Sequence, residues 1–498
     1  MHAMTSQHGL SKSTFLRGVQ CAKSLYLHTF QRDLATPLDA DQLARVTMGQ
    51  QVGELARGLF PEGVLVSTPR GFSKAEALQQ TQSAMESGGT TLFEPAFLAD
   101  GLFLRADVLV RSGSAWELYE VKSSTSVKDE YLLDVAFQVY VMRKAGLSIN
   151  DAWLVHIDST YVRSGPLDLE ALFAMDPVTD SVESLQPTIP GLIEDLQSAL
   201  AQGVVPEIPI GRQCNDPYPC DFISHCWEHV PSPSIFEVFR LPWSKKEELY
   251  RKGVISIEDI PDDFPLPAPS RFHVVAHKSG QSIVERAPLR RFVGGLAYPL
   301  AFLDFETAMS AIPAYDQSRP YQQIPFQFSL HTIAEIGAEP QHDGFLADPV
   351  GDPRQALMEH LMRRLPEEGD ILVYHQPFEE GRLKELARDF PDQAGWLGAV
   401  VARLKDLIEP FKQRWVYEPG MNGSSSIKAV LPALVPELSY ETLEVGDGGQ
   451  AMLAWSRLVE GTEAAEAERL RQALWDYCTL DTLGMVKILE KLEVLASG

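Results

Sequence analysis

The chain has 498 residues, with 43 Lys and Arg against 68 Asp and Glu, a formal net charge of −25 and five cysteines. That length suggests two to four domains of roughly 100–200 residues each, and 45% hydrophobic with 22% charged residues argues against collagen, coiled coil and wholesale disorder. So acidic a chain is a poor sequence-independent coat for nucleic acid, and binding to phosphate must be local, through a basic channel or a metal bridge.

The first twenty residues contain Lys12 and Arg17 and no apolar block, and no stretch reaches the roughly 18 apolar residues of a membrane helix. The expectation is a cytoplasmic protein without membrane association. Helical patterns run over Ser13 to Leu27 and Asp41 to Leu59. Leu102 to Val110, a turn at Ser112 to Ser114, and Trp116 to Val121 read as antiparallel strands, followed by a helix from Asp129 to Lys144 and a strand at Leu154 to Ile157. Asp107 closes the first strand run, while Glu120 and Lys122, two apart on the next, point to one face. Two carboxylates and an ammonium converging there suit phosphodiester hydrolysis: the acids hold Mg²⁺ or Mn²⁺ and the lysine orients or deprotonates water. A surface salt-bridge ladder is the plainer reading of the same pair.

Pro206 to Pro219 and Pro231 to Pro233 are rich in breakers and bracket Cys214, Cys220 and Cys226, spaced six apart, while Cys21 stands alone near the N-terminus. Too few for a disulfide scaffold, these thiols read as three ligands plus one, the usual complement of an iron-sulfur cluster and equally of structural zinc. With the acids, this layout resembles the PD-(D/E)xK nucleases of the RecB and AddB type, including the CRISPR adaptation nucleases, over roughly residues 10 to 230. The resemblance implies a restriction-endonuclease-like α/β fold stapled by a 4Fe-4S cluster on Cys21, Cys214, Cys220 and Cys226. It implies metal and water activation by Asp107, Glu120 and Lys122, and a helix motif approximated by Gln138 and Tyr140. At the place of an upstream metal ligand, Gly49 to Ala56 offers Glu54.

A domain should end near 230, and residues 231–297 read as a mostly helical connector. From Arg240 to Arg291 it carries ten Lys and Arg against seven Asp and Glu, a weak phosphate contact or an ordinary solvated linker. Residues 298–498 form the last domain. There Ala301 to Thr307 is an apolar strand ending in Asp304 and Glu306, two apart on one face. Ile371 to His375 reads as a strand and Phe378 to Leu383 as the helix after it, with Glu379, or Glu380 beside it, as a third acid. Trp475 to Asp481 lies on a helix where Tyr477 and Asp481 share a face. Four carboxylates can clamp two divalent ions, with Tyr477 orienting water. This resembles the tyrosine variant of the DEDD exonucleases, in the RNase H-like superfamily. Cys478 reads as a packed helix residue, and Lys428, at the end of Gly423 to Lys428, as part of an ordinary exposed loop or, less readily, as a phosphate contact from a flexible one.

Together the resemblances are similar to a bacterial family of uncharacterised proteins joining the two domains. They imply a two-site, metal-dependent nuclease acting on DNA ends or single strands. The alternative is a nucleic-acid-associated scaffold with degenerate sites and a structural zinc or redox-sensing cluster.

Overall fold

The computed structural model describes residues 9–66 and 73–498; the first eight residues, part of the stretch read for a leader, lie outside it. The chain divides into two compact units, the first running through His229 and including Ser310–Tyr321, the second comprising Val230–Met309 and Gln322–Gly498. Both are mixed α/β, and no helix among the described residues is long and apolar enough to cross a membrane.

The first unit is built on a six-stranded sheet of β1 (Val64–Leu65), β2 (Thr91–Phe93), β3 (Val108–Ser112), β4 (Ala115–Lys122), β5 (Ile149–Ile157) and β6 (Phe173–Pro177), in that spatial order. β3 and β4 form an antiparallel hairpin, turned at Gly113 with φ +62°. β5 lies parallel to β4, and a parallel partner demands a crossover. That crossover contains the helix Asp129–Lys144, whose Phe137 is fully buried and stacks on Phe15 of α1 (Lys12–Gln20) at 4.4 Å.

Two expectations need correcting here. The single helix over Ser13 to Leu27 is broken at Cys21, which is extended (φ −162°, ψ 112°) and ends α1 before α2 (Ala22–Phe30) begins. No Gly or Pro marks that break, so the apolar spacing conceals it. The strand expected over Leu102 to Val110 is two strands. Leu102–Arg105 pairs with Ala96–Ala99 and Leu10–Ser11 in a separate three-stranded sheet, whereas β3 joins the main one. Asp107 lies where the chain passes from one sheet to the other.

The second unit includes residues 231–297, with helices Trp243–Arg251, Ala268–Ser279 and Arg286–Gly294 and a small apolar cluster of Ile235, Leu249, Ile257 and Phe264 among others. Its main sheet has the order β9-β8-β7-β10-β11, from β7 (Leu300–Ala308), β8 (Ile324–Ile333), β9 (Gln341–Leu346), β10 (Ile371–Val373) and β11 (Leu404–Asp406). β7, β8 and β9 pair antiparallel; β7, β10 and β11 pair parallel. β7 is thus central, with apolar side chains packed on both faces. Leu303 and Phe305 pack on one side with Leu357 and Leu383, and Phe302 on the other with Leu474 and Leu489 of the 34-residue helix Ala464–Ser497. By strand alternation Asp304 and Glu306 share the face of Phe302, toward that long helix.

Candidate functional site

In the first unit, the end of β4 and the crossover helix bring together three carboxylates and two ammoniums. Lys122 Nζ donates to Glu120 Oε1 and to Asp134 Oδ2, each at 2.7 Å, and Gln138 Nε2 donates to Glu120 Oε2 (2.8 Å) and Asp134 Oδ1 (3.0 Å). Asp134 and Gln138, four apart, face the sheet from one side of the helix. Lys12, first residue of α1, donates to the same Glu120 Oε1 at 2.7 Å and stands 3.8 Å from Asp134. Asp107 Oδ2 accepts from the Val121 amide at 2.7 Å and lines an open cleft of about 720 Å³ with Glu54, Arg57 and Arg105. Burial works against ionisation of Glu120, yet the ammoniums of Lys12 and Lys122 hold it well below the usual carboxylate range. Asp107, pressed first by burial and then by the charge of Glu120, is pushed up to about 7.

Tyr140 does not join this group. Two residues from Gln138 on a helix, it points about 200° away, packs against the apolar core and carries Lys144 over its ring at 5.7 Å. Tyr131, one turn before Asp134, instead has the Lys122 ammonium 5.2 Å from its ring centre.

Cys21, Cys214, Cys220 and Cys226 are free thiols, all partly exposed, lining one cavity with Ser24, Ile210 and Phe222. Burial pushes the thiols of Cys21 and Cys226 up, and the negative charge of the neighbouring cysteines adds to it. Among the described residues, the only three potential ligand atoms all within 4.8 Å of one another are those of Asp304, Glu306 and Cys478.

In the second unit, Asp304 and Glu306 face the long helix, which supplies Cys478 and Asp481. The Cys478 thiol donates to Asp304 Oδ2 at 3.8 Å, and its side chain is fully buried, as expected of a packed helix residue. Asp481 accepts from Tyr440 Oη at 2.5 Å and from the Tyr477 hydroxyl. Glu379 sits in the first turn of α3 (Gln376–Asp389), buried, with Oε2 unpartnered. Its neighbour Glu380 pairs at the surface with Lys384 and does not join this group. Four acids so gathered repel and are desolvated together. Burial and then mutual repulsion raise Asp304 and Glu306 well above the carboxylate range. Burial, followed by the charge of Asp304, pushes Glu379 up to about 9. Burial pushes Asp481 up to about 6 against its tyrosine bonds.

Lys428 is not in a plain loop. It lies in the first turn of the helix Ile427–Leu434, 5.6 Å and 5.8 Å from the ring centres of Tyr477 and Tyr440, and its charge lowers both Glu306 and Asp481. Tyr440, Lys12 and Asp134 are the site residues that sequence reasoning missed. Only Asp134 had a usable signal, its i, i+4 spacing from Gln138.

Against a protein of Mycoplasma pneumoniae named as an uncharacterized MG366 homolog, the chain is 27% identical over 208 residues, covering 38% of this chain and 31% of the relative. Against the uncharacterized protein UU173 of Ureaplasma parvum it is 29% identical over 170 residues, covering 30% and 24%. The chain thus spans less than a third of the length of these curated relatives. Residues 301–426, which carry Asp304, Glu306 and Glu379, match a domain of unknown function, DUF2779.

Proposed function

We propose that the chain is a metal-dependent nuclease that hydrolyses phosphodiester bonds at DNA ends or in single strands, with two active sites and a structural iron-sulfur cluster. The observation that carries this reading is the gathering of Asp304, Glu306, Glu379 and Asp481 from a central strand and two helices, with their carboxyls raised by burial and repulsion. Ionised together, such a set is costly to bury, and it must be neutralised by protons or by cations. Divalent ions there would neutralise charge on the scissile phosphate. Asp304, Glu306, Glu379 and Asp481 would hold them, Tyr477 and Tyr440 would fix Asp481 and a water beside it, and Lys428 would meet the phosphate.

The sheet order β9-β8-β7-β10-β11, with its antiparallel and parallel halves, supports an RNase H-like reading of the second unit. The β3–β4 hairpin, crossover helix and parallel β5 support a PD-(D/E)xK reading of the first. There Asp107 and Glu120 would hold metal while Lys122 orients water. Four thiols lining one cavity are a donor set that suits a 4Fe-4S cluster, with structural zinc as the alternative. The binding-scaffold reading rests on one specific observation, the internal neutralisation of Glu120 by two lysines.

The test is digestion of a fluorescent single-stranded DNA with Mn²⁺. Lys122→Ala and Asp304→Ala should each remove one component of activity by roughly 10² or more. Equal digestion by wild type, both single variants and the double variant refutes the proposal. Anaerobically purified protein should absorb near about 400 nm and carry iron, and Cys21→Ser should lose both; zinc in place of iron rejects the cluster.

A further inference from the structure

Both oxygens of Glu120 are engaged before any cation arrives, with about three of the four acceptor positions of a carboxylate taken. Oε1 takes two ammoniums, from Lys12 and Lys122, at 2.7 Å each, and Oε2 takes Gln138. A divalent ion held by Asp107 and Glu120 would meet two ammoniums already on Oε1, and releasing one lysine would relieve that like-charge crowding. The two are not held equally. Lys122 has a second full bond to Asp134 at 2.7 Å and a tyrosine ring beside it, whereas Lys12 reaches Asp134 only at 3.8 Å. The backbone of Lys12 is nevertheless fixed. Ser11 and Thr14 form a capping box at the start of α1, Phe15 stacks on Phe137, and Arg17 pairs with Asp221. Only the four-carbon stem is free to swing.

Charge decides where the ammonium can go. Asp107, Glu120 and Asp134 can carry three negative charges against two from the lysines, so a dication added without release of Lys12 would leave the site positive. A released ammonium needs an anionic partner, and a phosphodiester backbone is one. Gln138 points to a site poised for rearrangement: its Oε1 is fully buried without a partner while its Nε2 is shared between two carboxylates.

We propose that Lys12 is a displaceable internal counter-ion, which occupies the place of the divalent cation at Glu120 until a phosphodiester strand draws its ammonium away, so that cation and strand bind this unit cooperatively. The inference rests on the nuclease reading of the first unit and makes Lys12 a positioning residue for cation and strand. It also accounts for the internal neutralisation that otherwise favours a scaffold.

The test measures Mn²⁺ binding by loss of the free-ion electron paramagnetic resonance signal, in the full chain carrying Asp304→Asn and Glu306→Gln to silence the second site. Titrations are run with and without a phosphorothioate single strand that resists hydrolysis. In that background the strand should tighten Mn²⁺ binding at least roughly tenfold, within the usual range of coupling between two ligands. Adding Lys12→Met should tighten Mn²⁺ binding by a similar factor without the strand and abolish most of the strand's effect, while Lys12→Arg should retain that effect. Unchanged or weaker Mn²⁺ binding in Lys12→Met overturns the proposal. So does absence of strand-dependent tightening in the Lys12-intact background, a result that needs no Lys12 variant to fold. Binding that behaves as expected in protein whose wild type digests no DNA would sink the nuclease reading and leave the counter-ion role standing.

Discussion

Glu379 and Asp481 hold protons in the folded protein that the unfolded chain gives up. Burial first, then neighbouring carboxylates, lift Glu379 to about 9 from an ordinary 4.5. Burial lifts Asp481 to about 6 from 3.8. Between those limits the native state binds more protons than the unfolded one, so stability falls as pH rises. Asp107, raised to about 7, acts in the same direction, whereas Glu120 runs opposite and matters only below its unfolded value of 4.5. Metal-free protein in EDTA should therefore melt at a higher temperature at pH 5.5 than at pH 8.5, with Mn²⁺ recovering most of the loss at the higher pH and Glu379→Gln reducing the slope. A melting temperature flat across that range would contradict the burial of these acids. The same residues show what a sequence can and cannot reveal. Asp304 and Glu306 are legible because a two-residue spacing on a strand fixes a shared face. Lys12 and Tyr440 are not, since the bonds they make span 108 and 41 positions and a lone residue carries no periodicity.

Among the elements, α3 depends on a residue outside it. Its N-terminus has no side-chain cap of its own: His375 enters it at φ +76°, and the amides of His375 and Gln376 are taken by Asp406 at the end of β11, at 2.9 and 3.1 Å. A left-handed non-glycine residue so placed is strained, and the Asp406 bonds help hold it there. Asp406→Ala should cost about 1–2 kcal/mol in chemical denaturation, as loss of a cap does. By letting Glu379 drift it should also lower the Mn²⁺-dependent activity left in Lys122→Ala by roughly ten- to a hundredfold. Full retention of both would show that α3 is positioned by packing alone. The strands and helices that carry the acids are readable from apolar runs and turn residues, including the β3–β4 hairpin and the crossover helix. The breaks at Cys21 and Asp107 are not, because tertiary partners impose them without Gly or Pro.

At the scale of the whole molecule, the chain does not complete its first unit before starting the second. After β7, which carries Asp304 and Glu306, residues Ser310–Tyr321 belong to the first unit, and the chain then resumes the second with β8. This segment contributes the fully buried Ala311 and the partly buried Ile312 and Tyr321 to an apolar cluster with Val52, Val155, Ile157 and Phe173. Arg163 bonds the Pro313 carbonyl at 3.0 Å and the Ala314 carbonyl at 2.7 Å. No compositional signal marks so short a return, and a boundary near 230 hides it. A fragment of residues 1–229 should thus bind a hydrophobic dye and melt well below the intact chain; a fragment as stable as the whole would deny the segment any role. The lacing also bears on inheritance. A gene fission or shuffling event at the natural-looking joint would orphan a patch of the first half, so the two halves are stitched to travel as one heritable piece, and recombination that parts them must rebuild a surface on one side.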